Sequence, residues 1–257
     1  MKKIYLVRHG QSTANAGGEV QPNAKIELTQ LGHKQAEQAA DWLLQTLGED
    51  INSICVSSYI RTKQTAQPLV KKLKQTPRVI EGLQEFDLIG FSRLKGTTFE
   101  QRMVLTDAYW QSANPAVPNA EDAESFQQFY QRIPQVLEQF ADFEPGNHVV
   151  YTHGYWISML IWYLLGLPAD ETQDVAKFRQ FELSIRAQNG EVFCLTLPSS
   201  ELKGQYAPTI TKVRHCADKN SELSAYDLKG DLIVSKVVTM ALKNHNYPPL
   251  TNISIFE

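Results

Sequence analysis

The chain is expected to fold as an α/β domain built on a largely parallel sheet. Two observations lead there. Short apolar runs alternate along most of the chain with segments of helical period. Two of those runs, "IYLVRHG" and "HVVYTHG", also end alike, in a histidine followed by a glycine.

The elements follow in order. Ile4 to Val7 form a buried strand, and residues 14 to 26 a Gly- and Asn-containing loop. "TQLGHKQAEQAADWLLQTL" is a helix capped by Thr29 and stopped by Gly48. Its apolar side holds Leu31, Ala36, Ala39, Ala40, Leu43, Leu44 and Leu47. "INSICV" is a second strand, "YIRTKQTAQPLVKKL" a helix bent at Pro68, and "RVIEGL" a third strand. Residues 98 to 110 and 121 to 141 are helical by period, with Pro134 inside the second and "SANPAVPNA" between them. "NHVVYTHG" is a fourth strand and "YWISMLIWYLLG" a buried helix of core aromatics. "FELSIRAQNGEVFCLTL" has two β-rich runs about Asn189-Gly190, a hairpin signal.

Composition narrows the function classes. At 257 residues, 42% apolar and 21% charged, the chain can bury a substantial core. A formal net charge of -3 points to neither a nucleic-acid nor a membrane partner. Cys55, Cys194 and Cys216 are odd in number and scattered. They match no disulfide framework or zinc spacing and suit reduced thiols in a cytoplasmic protein. The first apolar run stops at Arg8, short of the ~7–15 residues of a signal peptide. The run from Trp156 to Leu167 is short of the ~20 residues of a membrane span.

Chemistry gathers at the strand ends. Ligands of open α/β sheets bind in the crevice beyond the carboxyl ends of the strands. His9 and His153 share that crevice if the first and fourth strands are neighbours. Gly10 and Gly154 let the backbone turn and approach a ligand. Arg8 adjoins His9, and Arg61 sits in the first turns of a helix whose amino end can bind an anion. Two arginines and two histidines suit a phosphoryl group, which guanidinium pairs in bidentate fashion. A divalent metal would be repelled by Arg8, and neither HxH nor HExxH occurs. Glu81, Glu85 and Asp87 are candidate proton donors that the residues alone do not separate. His33 and His148 are expected to be structural. Arg214-His215 lacks both the apolar run and the following Gly. Arg93, Lys95 and Arg102 fit solvated helix faces better than a pocket mouth.

"LVRHGQSTAN", "SSYIRTKQTA", "LQEFD" and "YTHGYW", in this order, resemble the histidine phosphatase superfamily, also called phosphoglycerate mutase-like. "LTQLGHKQA" resembles its first helix, and the likeness spans about residues 2 to 197. It implies a three-layer α/β/α fold and a phosphatase that uses neither metal nor organic cofactor. His9 is then the nucleophile that becomes phosphohistidine. Arg8, Arg61, His153 and Gly154 hold the phosphoryl group, with Asn15 a further contact. Glu85 serves as general acid and base. The chain departs from the pattern after Glu85, with Ile89 where the family often has Gly and Gly90 one residue later. The longer motifs of glycolytic mutases are missing there, which favours a phosphomonoesterase over a mutase. A phospho-ligand-binding module without turnover would have no need of the nucleophile. The expected substrate is a small phosphate ester or a phosphoprotein. Residues 1–200 are expected to form the domain. Residues 201–257 form an extension that could cap a sheet edge, mediate self-association or cover the site.

Overall fold

The structure, a computed structural model, describes residues 1–198 and 207–215. Six strands form one sheet in the order β3-β2-β4-β1-β5-β6. β1 (Lys2–Arg8), β2 (Ser53–Val56), β3 (Arg78–Val79) and β4 (Gly146–Thr152) run parallel. β5 (Val192–Leu197) and β6 (Thr209–Arg214) are antiparallel additions at one edge. β1 and β4 are direct neighbours in a register that pairs Arg8 with Thr152. His9 and His153 therefore leave the sheet side by side.

The sheet is covered on both faces, which is why β1 and β4 carry continuous apolar runs, Ile4 to Val7 and Val149 to Tyr151, rather than alternating. Tyr5, Val7, Ile54, Val56, Val149 and Tyr151 pack under α1 (Gln30–Leu47) and α2 (Ile60–Leu73). Ile4, Leu6, Cys55 and Val150 point the other way, toward α4 (Phe99–Ser112), α5 (Phe126–Ala141), α6 (Gly154–Leu164) and α7 (Thr172–Ile185). The result is a three-layer α/β/α arrangement. α3 (Phe91–Leu94) is a single turn in the segment after Glu85. Thr29 caps α1 by accepting from Gly32 N at 3.1 Å, and Gly48 ends it at φ 61°. α1 lies close to the turn after β1: a Cβ on Gly10 would meet Gly32 O at 2.3 Å. Leu31, expected on the apolar side of α1, is 41% exposed.

Three further expectations change. β3 keeps only Arg78–Val79 of the expected third strand. The second of the two expected helices begins at Phe126 rather than 121, because Ser125 and Gln128 form a capping box there. The hairpin about Asn189-Gly190 does not form, since residues up to Ile185 belong to α7. Val175, Phe178 and Phe181 recur at helical spacing and bury against Trp110, Phe126 and Trp162. A buried Phe is worth ~1.5–3 kcal/mol, so packing on this aromatic cluster outweighs the β-rich composition. β6 lies within the stretch read as an extension and adds a strand beside β5. The runs "DLIVSKVVTMAL" and "NHNYPPLTNISIF" and Cys216 lie outside the described residues. Among those described, no helix is long and apolar enough to cross a membrane.

Candidate active site

β1 ends in Arg8 and passes directly to His9, which is 3% exposed and faces a cavity of about 280 Å³. His9 Nδ1 lies 2.7 Å from Gly10 O, a contact it makes as a donor. Its Nε2 then accepts from Arg61 Nε at 3.1 Å. These two bonds define the tautomer: the proton stays on Nδ1, and the Nε2 lone pair faces the guanidinium. Burial, with Arg61 and Arg8 alongside, holds the imidazole well below the usual histidine range. His9 is therefore neutral near pH 7.

Arg61 belongs to the first turn of α2 and is 3% exposed. Its Nη1 donates to Asn23 O at 2.6 Å, and its guanidinium lies 4.9 Å from the centre of the Tyr59 ring. Arg8 donates through Nη1 to Ala187 O, while its Nε is buried without a partner. Gly154 makes room for this guanidinium, since a Cβ there would stand 3.2 Å from Arg8 Nε. A buried guanidinium nitrogen with no acceptor fits a site shaped for an anion.

His153 is placed differently. It is fully buried, with its ring 5.2 Å from that of His9, edge to face, and it stands behind the cavity rather than on its wall. Ser57 Oγ meets its Nε2 at 2.7 Å, and its Nδ1 has no partner. Burial foremost, then Arg61, His9, Arg132 and Arg8, keep it neutral as well. A bound dianion would oppose those cations and favour its protonation.

Glu85 enters on the loop between β3 and α3 and lines the cavity. Its Oε2 accepts from Tyr155 N at 3.3 Å, in the first turn of α6, and its Oε1 from Phe86 N at 3.1 Å. Desolvation raises its pKa, against the pull of Arg61 and Arg8. The loop is strapped carbonyl by carbonyl. Gly82 O accepts from Arg132 Nη1 and Trp156 Nε1, both at 2.7 Å. Leu83 O accepts from Thr152 at 3.0 Å and Gln84 O from Arg132 at 2.9 Å. Phe86 stacks on Phe129 at 4.5 Å. The other two carboxyl candidates are engaged elsewhere. Glu81 is exposed and bonded to Gln84, and Asp87 accepts from Tyr59 at 2.8 Å and Asn23 at 2.5 Å.

Asn15 is exposed at the mouth. Its Oδ1 accepts from Ser12 N and Asn189 Nδ2, at 3.1 and 3.2 Å. Its amide NH₂ thus remains available to a ligand. His33 and His148 stand apart, His148 bridging Ser53 and Glu144 O. Arg93 reaches Asn119 and Arg102 reaches Gly18 O. Among the described residues no three His, Cys, Asp or Glu side chains cluster as a metal site requires.

Four residues at the site were not read from the sequence: Ser57 and Asn189, which bond to His153 and His9, and Glu182 and Arg186, which line the cavity. Asn189 Nδ2 donates to His9 O at 2.9 Å, and Glu182 and Arg186 face the cavity from α7 and the turn after it. Reading residues 181–197 as a hairpin concealed these last two. The spacing of Val175, Phe178 and Phe181 is the signal that reveals their helix.

Comparison with known proteins identifies the family. Residues 4–194 match the family model described as "Histidine phosphatase superfamily (branch 1)". A probable phosphoglycerate mutase of Cronobacter sakazakii is 28% identical over 172 residues, 66% of this chain and 77% of that protein. An adenosylcobalamin/alpha-ribazole phosphatase of Escherichia coli is 26% identical over 172 residues, 65% of this chain and 81% of that one. In fold, the chain is similar to the crystal structure of phosphoserine phosphatase from Entamoeba histolytica in complex with 3-phosphoglyceric acid. There the TM-score is 0.62 at 23% identity, over 84% of this chain and 98% of that one.

Proposed function

The chain belongs to the histidine phosphatase superfamily, and from that premise we propose that it hydrolyses a phosphomonoester through a phosphohistidine on His9. The observation that carries this is the bond from Arg61 Nε to His9 Nε2. It identifies an unprotonated nitrogen, with guanidinium groups beside it, facing a cavity.

In the first step a phosphoryl oxygen takes over the Arg61 N–H, and Nε2 attacks phosphorus opposite the leaving oxygen. The N–P bond forms as the P–O bond breaks. Arg8 and Arg61 bear the charge on the equatorial oxygens, the main demand of phosphoryl transfer. Glu85, protonated, gives its proton to the leaving alkoxide. In the second step water attacks phosphorus, Glu85 takes the water's proton, and the N–P bond breaks to release phosphate. The proton stays on Nδ1, which donates to Gly10 O throughout, so the ring keeps its orientation. His153 and the amino end of α6 add positive potential behind the phosphoryl group.

A mutase reading draws on the 28% identical relative. Hydrolysis is preferred because exposed Asn15 and half-exposed Arg186 leave the mouth open to the second-step water. A cavity of about 280 Å³ favours a small ester over a phosphoprotein. Cytoplasmic location and independence of metal and organic cofactor belong to the same proposal. A panel of phosphomonoesters assayed for inorganic phosphate tests it. Release of free phosphate with transient acid-labile, base-stable label on the protein is expected. Isomerised ester without free phosphate would establish the mutase instead.

A further inference from the structure

Asp87 does not face the reaction, yet both its carboxylate oxygens are occupied beside the site. Oδ2 accepts from the Tyr59 hydroxyl at 2.8 Å and Oδ1 from Asn23 Nδ2 at 2.5 Å. Asp87 and Tyr59 stand outside the cavity, and Asn23 lines it. The two partners come from different segments. Tyr59 is the N-cap residue of α2, and Asn23 begins a 3₁₀ turn in the loop after β1. What they share is Arg61. Asn23 O accepts from Arg61 Nη1 at 2.6 Å, and the guanidinium lies over the Tyr59 ring at 4.9 Å.

These supports matter most during the reaction. In the free protein the guanidinium has a third hold, the bond from Nε to His9 Nε2 at 3.1 Å. Phosphoryl transfer breaks it, since Nε2 attacks phosphorus and a phosphoryl oxygen takes the Nε–H. Asn23 O and the Tyr59 ring then remain to fix the guanidinium from the protein side. With Nη1 on Asn23, the edge formed by Nε and Nη2 is turned to the substrate. Nη2 has no hydrogen-bond partner among the described residues. That edge matches two phosphoryl oxygens. The backbone of Asp87 is held separately, its carbonyl accepting from Glu124 N at 3.0 Å. A tie between loops would need no more than that bond. The carboxylate serves the two groups that aim Arg61.

We propose that Asp87 is a positioning residue, which sets the angle of the Arg61 guanidinium toward the phosphoryl group through Tyr59 and Asn23. The proposal rests on the hydrolase reading above.

Asp87→Asn leaves one acceptor oxygen for two donors. Its kcat/KM should fall about 10- to 100-fold, the range for a hydrogen bond to a charged group. Arg61 serves the phosphoryl group, so glycerol 3-phosphate and p-nitrophenyl phosphate should lose by the same factor. In an Arg61→Ala background, assayed with p-nitrophenyl phosphate, the same change should cost about twofold at most, because no guanidinium is left to aim. Tyr59→Phe removes only the hydroxyl and should show a smaller loss with the same dependence on Arg61. Wild-type kinetics in Asp87→Asn overturn the proposal. So does an equal loss with and without Arg61, which would make Asp87 a support of the fold. A loss confined to glycerol 3-phosphate also overturns it, since that is the mark of a proton donor. If Asp87→Asn does not fold, Tyr59→Phe decides alone: wild-type kinetics, or a loss indifferent to Arg61, overturns the proposal. Each of these leaves the hydrolase reading standing. Absence of phosphate release by the wild-type protein from both esters and from the wider panel would remove that reading, and the proposal with it.

Discussion

His9 and His153 stand at the ends of adjacent parallel strands, each followed by a glycine, yet their surroundings make them different reagents. His9 has both nitrogens engaged, and its Nε2 accepts from a guanidinium at the cavity wall. His153 stands behind it, one nitrogen against Ser57 and the other unpaired. The strand register brings two imidazoles together, and their partners distinguish the proposed nucleophile from its neighbour. Local sequence encodes the placement; the role comes from residues 52 and 96 positions away in the chain.

The comparison can be broken most sharply at the rings themselves. His9→Ala should lower turnover by roughly 10⁴-fold or more and eliminate the acid-labile phosphoprotein. His153→Ala should slow the reaction less and still form that species in quenched-flow experiments. Label remaining in the His9 variant would assign the nucleophile to the other histidine.

Glu85→Gln comes next in size. Loss of the proton donor should cost about 10²–10⁴-fold with an alkyl ester, and far less with p-nitrophenyl phosphate, whose phenolate leaves unaided. Rapid-mixing measurement of the first phosphoryl transfer isolates that difference from water activation in the second step. Equal small losses on both would move the role to another carboxyl group.

The pH dependence sharpens the contrast further. His9 is held below the usual histidine range, so its neutral, active form persists as pH falls below 6.5. Glu85 is raised above 4.5 and must be protonated to act, so alkyl-ester activity should decline as pH rises through its pKa. Profiles of kcat/KM for wild type and Glu85→Gln should share the acid limb and differ on the alkaline side. The alkaline decline disappears in the variant, because an amide does not ionise there.

The smallest effect is expected farthest from the rings. Ending the chain near Ser200 removes β6 and its Lys212–Glu191 ion pair at 3.0 Å. The remainder should fold and bind phosphate, with Tm lowered by a few degrees. Glu191 keeps a partner in Gln188 N at 2.7 Å, and β5 stays paired to β1. Circular dichroism melting with and without phosphate checks this. An insoluble product would make β6 part of the core.

Legibility in the sequence followed the range of the determining contacts. β1 and β4 were readable because central strands covered on both faces carry continuous apolar runs. Thr29 and Gly48 were readable because caps are local chemistry. Arg8, His9 and His153 follow from strand ends, and Arg61 from a helix start. Glu85 could be separated from Glu81 and Asp87 only by resemblance. The structure shows why: all three share one irregular loop, and the distinguishing contact is Tyr155 N, seventy residues away. Phe181 to Ile185 resisted because a helix whose aromatic residues are wanted by a tertiary cluster has the composition of a strand. Glu182 and Arg186 were lost with it.

The straps on Gly82, Leu83 and Gln84 have one more consequence. These three carbonyls are anchored by Arg132, Trp156 and Thr152, all of them outside the loop. Arg132 is itself clamped by Glu124 at 2.6 Å. The segment that carries Glu85 is thus held by residues of β4, α5 and α6, and nothing between Phe86 and Glu124 is needed to hold those carbonyls. The stretch from Ile89 to Thr98 touches none of these carbonyls and is free to vary in sequence and length while Glu85 stays in place. Such a mounting separates inheritance of the chemistry from inheritance of the substrate. A lineage can exchange the downstream segment and explore new esters without first rebuilding the means of cleaving them.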